Sequence, residues 1–107
     1  MQTANLFEIK RFSNEKYQKV GVFDSGRMFC DVYCFLPGQD QSIHKHHDSD
    51  KVYYVLEGKG KFRVNETEKE LKAGEAVLAP ASSDHGVENN SDSNLVLLVF
   101  MAPKPKH

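Results

Sequence analysis

Apolar and polar positions alternate with a period of two along much of this chain, and this pattern predicts β-strands. From Arg27 to Leu36, one set of alternate positions holds Met, Cys, Val, Cys and Leu, and the other holds Phe, Asp, Tyr and Phe. Successive side chains of an extended segment point to opposite faces. Because both sets are mostly apolar, we expect this strand to be covered on both sides. Pro37 and Gly38 end it.

Several further short segments are bounded by turn residues. Residues 51–56 are β-branched and aromatic, and a turn at 57–60 leads into 61–64, which predicts a hairpin. Additional strands are predicted at 69–72, 76–79, 85–88 and 95–101. About eight short strands with little helical periodicity predict an all-β fold, an antiparallel sandwich or barrel.

The last predicted strand, Leu95–Met101, consists of seven successive apolar residues. Such a strand is expected to be buried on both faces. One face would pack on the core. The other would be covered either by a second subunit, giving a homodimer, or by the N-terminal segment of the same chain, and the sequence leaves both open.

The bulk composition limits the partners that the protein can have. With 107 residues we expect one domain, and a net charge of -1 from 14 basic and 15 acidic side chains excludes the basic footprint of a nucleic-acid binder. Residues 1–10 lack the apolar segment of a signal peptide, and no run approaches the roughly 20 apolar residues of a membrane helix. A cytoplasmic, soluble protein with a small-molecule ligand is therefore expected.

Three histidines are the strongest candidates for chemistry. His44 and His46 are two residues apart, so on a strand they project to the same side, whereas on a helix they would be turned apart and could not share an ion. His85 lies on another predicted strand. His47 should face away from this group as a solvated residue. His107 belongs to a tail, Ala102–His107, that we expect to be mobile and not to contribute a ligand.

The spacing of these histidines and of several turn residues resembles the two motifs of the cupin superfamily over about residues 25 to 101. The matching positions are Gly38, His44, His46 and Gly58 in the first motif and Gly74, Pro80, His85 and Asn89 in the second. The resemblance implies a single cupin-like domain over residues 1–107, a jelly-roll barrel also called a double-stranded β-helix. It also implies one divalent transition-metal ion, held by His44, His46 and His85. Imidazole ligands suit Zn, Fe, Ni or Cu, and the family resemblance adds Mn.

The resemblance implies two classes of function. The first is a metal-dependent oxygenase or isomerase acting on a small polar or anionic molecule, as in cupins with a three-histidine site such as the thiol and diketone dioxygenases. The alternative is a non-enzymatic module that senses or binds a small molecule such as a sugar. A metal-free structural barrel is a third option.

Two residues depart from the motifs, and one of them concerns the metal. Ser82 replaces a turn glycine, a role that serine can also serve. Lys51 stands where the family usually has a glutamate ligand, and a cation there opposes a metal dication. The site is then either three-histidine, completed by another carboxylate, or no longer metal-binding. Asp48 and Asp50 are poor substitutes, because one lies in a loop and the other alternates to the opposite face.

Lys51 itself has two interpretations: a lysine whose stem packs along the barrel, or a catalytic residue that holds an anionic group or transfers a proton. Tyr53, in phase with Lys51, is the second candidate catalytic residue, because a buried hydroxyl needs a partner that a metal-bound water could supply. Val55 and Val87 are expected to be plain core. Gln39 and Gln41 are expected to lie in a hydrated turn.

Overall fold

A computed structural model of the protein describes residues 1–105 and consists of nine strands. The strands are β1 (Gln18–Asp24), β2 (Phe29–Phe35), β3 (Asp40–Lys45), β4 (Asp50–Glu57), β5 (Lys59–Val64), β6 (Thr67–Lys72), β7 (Ala76–Ala79), β8 (Asp84–Glu88) and β9 (Leu95–Ala102). All the strand pairs are antiparallel. The all-β prediction is confirmed. Nowhere in the described chain is there a helix long and apolar enough to cross a membrane.

The strands form two sheets that face each other. One has five strands in the order β1-β2-β9-β4-β7, and the other has four in the order β3-β8-β5-β6. Ten buried residues fill the space between them: Tyr33, Phe35, Tyr53, Val55, Phe62, Leu71, Val87, Leu95, Leu97 and Val99. Aromatic and aliphatic side chains therefore fill much of the barrel interior. The candidate polar site lies at one end of the barrel.

Strand β2 is covered on both faces, as its alternation predicted. Tyr33 and Phe35 point into the barrel, while Val32 and Cys34 lie on the outer face with Val96 of β9. The N-terminal segment covers this outer patch, since three of its apolar residues pack there: Leu6, Ile9 and Phe12. We predicted that either a second subunit or the N-terminal segment covers the outer face of the last strand. On this part of the face, the N-terminal segment does so.

The β4–β5 turn depends on glycine at position 58. Gly58 has a φ of +80° and lies directly against the carbonyl oxygen of Asn94, where a Cβ would collide with backbone. No other residue type combines this dihedral with so close an approach. The turn brings the start of β5 beside the start of β9.

The chain end after β9 is held against the barrel as far as residue 104. The Ser49 hydroxyl donates a 2.6 Å hydrogen bond to the Pro103 carbonyl, and the Lys104 ammonium pairs with Asp24 and lies 4.8 Å from the centroid of Phe29. This part of the predicted mobile tail is therefore anchored. His107, which we predicted not to be a ligand, lies outside the described residues.

Candidate metal centre

A bulge in β3 sets the orientation of the candidate site. Gln41 pairs with Val87 and His44 pairs with His85, so two residues of β3 oppose the single residue Gly86 of β8. This extra residue reverses the alternation, and Gln41 and His44 consequently both face inward although they are three positions apart. A Cβ on residue 86 would lie 2.8 Å from the Gln41 carbonyl oxygen, so glycine is what lets the bulged strand sit so close.

The three predicted histidines meet at one end of the barrel. His44 and His85 are direct cross-strand partners with ring centroids 4.3 Å apart, and His46, just beyond the end of β3, lies 5.0 Å from His44 and 5.6 Å from His85. One nitrogen of each ring can be chosen so that all three lie within 4.8 Å of one another. This arrangement could hold a metal ion.

Hydrogen bonds to the backbone leave two of these rings with a free nitrogen. Nδ1 of His44 lies 2.8 Å from the Ser42 carbonyl oxygen, and Nδ1 of His85 lies 3.0 Å from that of Ser83. A carbonyl only accepts, so Nδ1 carries the proton in both rings and Nε2 keeps its lone pair, as in metal-binding histidines. Nε2 of His85 is buried and has no hydrogen-bond partner among residues 1–105. A buried polar atom of this kind is costly unless something binds it, so the donor set fits a metal.

The lowered pKa values of the three histidines also favour metal binding. Burial lowers the pKa of His85 to about 4 and also lowers the pKa values of His44 and His46, with the positive charge of Lys51 adding to the effect in all three. Neutral imidazole is the form that binds a metal. Burial therefore favours the neutral, metal-binding form of all three rings.

The nearby polar residues that could be mistaken for ligands lie elsewhere. His47 is exposed and outside the cluster, as the alternation predicted. Asp48 is also exposed, and the Asp50 carboxylate accepts a 2.8 Å hydrogen bond from the backbone N–H of Ala81. Neither carboxylate joins the three histidines.

Lys51 is a fully buried side chain on the inner face of β4, with 1% of its surface exposed. Its ammonium group donates a long hydrogen bond of 3.4 Å to Oε1 of Gln41 and lies 5.3 Å from the ring centroid of Tyr33 and 4.9 Å from that of Tyr53. Burial, reinforced by the charge of Lys19, lowers the pKa of Lys51 to about 7. Lys51 is therefore inside the barrel as expected. With this pKa, its side chain changes between the ammonium and the neutral amine form near neutral pH.

Gln41 is buried, which corrects the prediction of a hydrated turn. Its Oε1 accepts a 2.6 Å hydrogen bond from the Tyr53 hydroxyl, and its Nε2 donates to the hydroxyl of Tyr17 at 3.1 Å. Gln39 does lie in the turn, but its amide is bonded to the Leu36 N–H and the Ser13 carbonyl. The hydroxyl of Tyr53 thus has a protein partner, and no metal-bound water is needed to satisfy it.

The described site lies within a segment that also matches a known family. Residues 31–101 match the family described as Cupin domain. The chain belongs to the cupin family. The matched segment contains the three histidines together with Gln41, Lys51 and Tyr53. It also agrees with the fold, since one similar solved structure is described as having a double-stranded β-helix domain and another as a cupin protein.

Three similar proteins show how far the likeness extends. The crystal structure of TT1209 from Thermus thermophilus has a TM-score of 0.96 with this cupin and is 48% identical, covering 98% of this chain and 100% of the other. An oxalate-binding protein of Thermotoga maritima is 32% identical over 78% of this chain and 68% of its own length. An uncharacterized protein of Methanocaldococcus jannaschii is 31% identical over 65% of this chain. This cupin spans only 56% of that relative's length.

The end of the barrel that holds the three histidines is its mouth. Three residues there were not singled out from the sequence. Tyr17 stacks on Phe35 with ring centroids 4.7 Å apart, and the ammonium of Lys19 lies 5.4 Å from the centroid of Tyr33. Asp31 shares the inner face of β2 with these rings, and burial raises the pKa of its carboxyl. Tyr17 and Lys19 precede the predicted barrel, and alternation alone gave no reason to connect them with the histidines.

Proposed function

We propose that this cupin binds one divalent transition-metal ion through His44, His46 and His85, and a small carboxylate anion beside it. The observation that carries the proposal is the buried Nε2 of His85, which has no hydrogen-bond partner among residues 1–105, in a cluster whose three rings each place one ligand atom within 4.8 Å of the others. Zinc, iron, nickel, copper and manganese remain candidates. A bound ion would act as a Lewis acid or carry dioxygen.

Lys51 supports the choice of an anion as ligand. Its ammonium group is buried beside two aromatic rings, and no described carboxylate lies within ion-pair distance of it. A buried cation without a counter-ion is unfavourable, and an anion in the mouth would relieve that cost. The similar Thermotoga maritima protein is described as oxalate-binding, which agrees with a small carboxylate.

The other polar residues would position Lys51. The Gln41 amide oxygen accepts hydrogen bonds from both Lys51 and Tyr53, so it helps to orient the ammonium group. Burial raises the pKa of Tyr53, and its phenol therefore stays protonated and remains a donor to Gln41. These contacts support a positioning role for Tyr53, and the catalytic role that we predicted for it stays a prediction.

Turnover as an oxygenase or isomerase is the second candidate, and one observation favours it. With a pKa near 7, Lys51 could both donate a proton to a bound substrate and accept one from it at physiological pH. The remaining candidate is binding without reaction. In either case we expect a cytoplasmic homodimer.

Elemental analysis of untreated protein, followed by a thermal-shift screen of small carboxylates, sugars and sugar phosphates, tests the proposal. We expect about one metal ion per chain and stabilisation by carboxylates in the metal-loaded protein only, since a ligand that binds the folded state must raise its stability. Oxygen consumption and proton NMR of each stabilising ligand then separate turnover from binding. An empty histidine cluster after metal loading would refute the proposal.

A further inference from the structure

The ammonium groups of two lysines lie near the ring of Tyr33. The Nζ of Lys51, from β4, lies 5.3 Å from its centroid, and the Nζ of Lys19, from β1, lies 5.4 Å from it. Lys19 is itself exposed and also lies 6.0 Å from the centroid of Tyr17. The two cations therefore approach the same site from two strands, one from inside the barrel and one from its rim.

The acidic residues of the described chain do not balance this charge. None of its ion pairs includes Lys19 or Lys51. Asp31 is the acid whose charge interacts with both, but it forms an ion pair with neither. The charge of Lys19 lowers the pKa of Lys51, which is the signature of two like charges held close together.

We infer that the mouth binds a dianion, a small dicarboxylate, with one carboxylate beside Lys51 and the histidines and the other at Lys19. This inference rests on the proposed function and specifies its ligand. Two cations within 5.4 Å of one ring centroid match two acidic groups on a short chain, whereas a monoanion would leave one of them unpaired. The negative face of this aromatic ring attracts a cation at such distances.

Pairs of ligands that differ only in charge provide the test. Oxalate and oxamate, malonate and malonamate, and succinate and succinamate each exchange one carboxylate for a neutral amide of similar shape. Isothermal titration of the metal-loaded protein, freed of excess metal, should show tighter binding of the dianion in at least one pair. Lys19→Met should then weaken the dianion by about two- to fivefold, the range of an exposed ion pair, and leave its amide partner unchanged.

Lys59→Met is the matched control. Lys59 is an exposed lysine at the start of β5, at the other end of the strand from Val64, which pairs with His85. The substitution changes net charge equally, and we expect dianion affinity to stay within error.

Equal affinity for both members of every pair, or an equal effect of Lys19→Met and Lys59→Met, would overturn the inference. In that event, metal-dependent binding of the monoanions would leave the proposed function intact. Failure of the histidines to take up metal would instead remove the proposed function itself. Raised salt should reduce the dianion preference, because screening weakens exposed charge pairs most, and a salt-independent preference would count against a role for Lys19.

Discussion

The Tyr53 hydroxyl donates a 2.6 Å hydrogen bond to Oε1 of Gln41, linking the two sheets through a buried pair. Gln41→Leu would leave both Tyr53 and Lys51 without their acceptor. We expect a loss of about 2 to 6 kcal/mol in the free energy of unfolding, because each of the two buried groups left unpaired costs about 1 to 3 kcal/mol. Urea denaturation measures it.

Tyr53→Phe, combined with Gln41→Leu, completes a double-mutant cycle for this hydrogen bond. Removing both partners should cost less than the two single losses added together, because no hydroxyl then remains unpaired. Strict additivity would mean that the 2.6 Å contact contributes nothing to stability.

Replacement of any one of the three clustered histidines should empty the metal site. His44→Ala, His46→Ala and His85→Ala each remove one of the three ligand atoms that lie within 4.8 Å of one another, and two imidazoles alone hold a divalent ion weakly. His47→Ala is the control, since that side chain is exposed and outside the cluster. Metal content per chain after gel filtration decides the matter. Retention by the His85→Ala variant, or loss from His47→Ala, would contradict the assignment.

Lys51→Glu should tighten metal binding. The charge of Lys51 reaches all three histidines, since it contributes to the lowering of each of their pKa values. Glutamate would replace this repulsion of a dication by an anionic oxygen ligand. Competition with a chelator should show an affinity gain of at least about tenfold, equal to about 1.4 kcal/mol. Lys59→Glu makes the same charge change at the other end of β5, and an equal gain there would assign the effect to net charge.

Lys51→Met should stabilise the metal-free protein, and more so at low pH. Burial depresses the folded pKa of Lys51 from 10.5 to about 7, so between these values the unfolded chain binds a proton that the folded protein has released. Stability of the parent therefore rises with pH across this window, and the lysine is most destabilising below pH 7. The gain at pH 6 should be about 5 kcal/mol at most.

Chemical denaturation of Lys51→Met and the parent at pH 6 and pH 9 tests this. The difference between the two proteins should shrink at pH 9, where the lysine is neutral in the folded state. A difference that does not change with pH would mean that Lys51 keeps its proton inside the barrel.

We expect a homodimer in solution, with twice the 12.1 kDa mass of one chain. The N-terminal segment covers only part of the outer face of the five-stranded sheet. Leu78 remains 53% exposed in the same row as Val52 and Phe100, and Phe7 is 53% exposed on the covering segment. Apolar surface of this extent commonly marks an interface. Light scattering after size exclusion measures the mass, and a stable species of 12.1 kDa at micromolar concentration would refute the expectation.

Alternation predicted most of the fold because most strands obey it. The bounds of β7 and the inward and outward faces of β2 follow directly from the apolar positions. Strand β1 was not predicted: its pairing with β2 shifts register between Gly21 and Phe23, and this irregularity interrupts the pattern. The convergence of His44, His46 and His85 required only their phase and the resemblance to the cupin motifs.

The residues around the histidines could not be predicted in the same way. Gln41 is out of phase with His44 under strict alternation, and only the bulge brings its amide inside. Lys19 is a charged residue on an edge strand, which by itself indicates a solvated side chain. Its contact with Tyr33 depends on the side-chain direction across two strands, and no local sequence signal encodes that.

The bulge determines which spacings between Gln41 and His44 can build this site. Three positions apart, the two residues would lie on opposite faces of a regular strand, and the extra residue opposite Gly86 is what places both inside. Deleting Ser42 or Ile43 would remove that extra residue and leave Gln41 and His44 two positions apart, which already puts them on the same face of a regular strand. A cupin one residue shorter there can therefore keep the amide beside the histidines without a bulge, so relatives that share this site can have a spacing of either two or three positions.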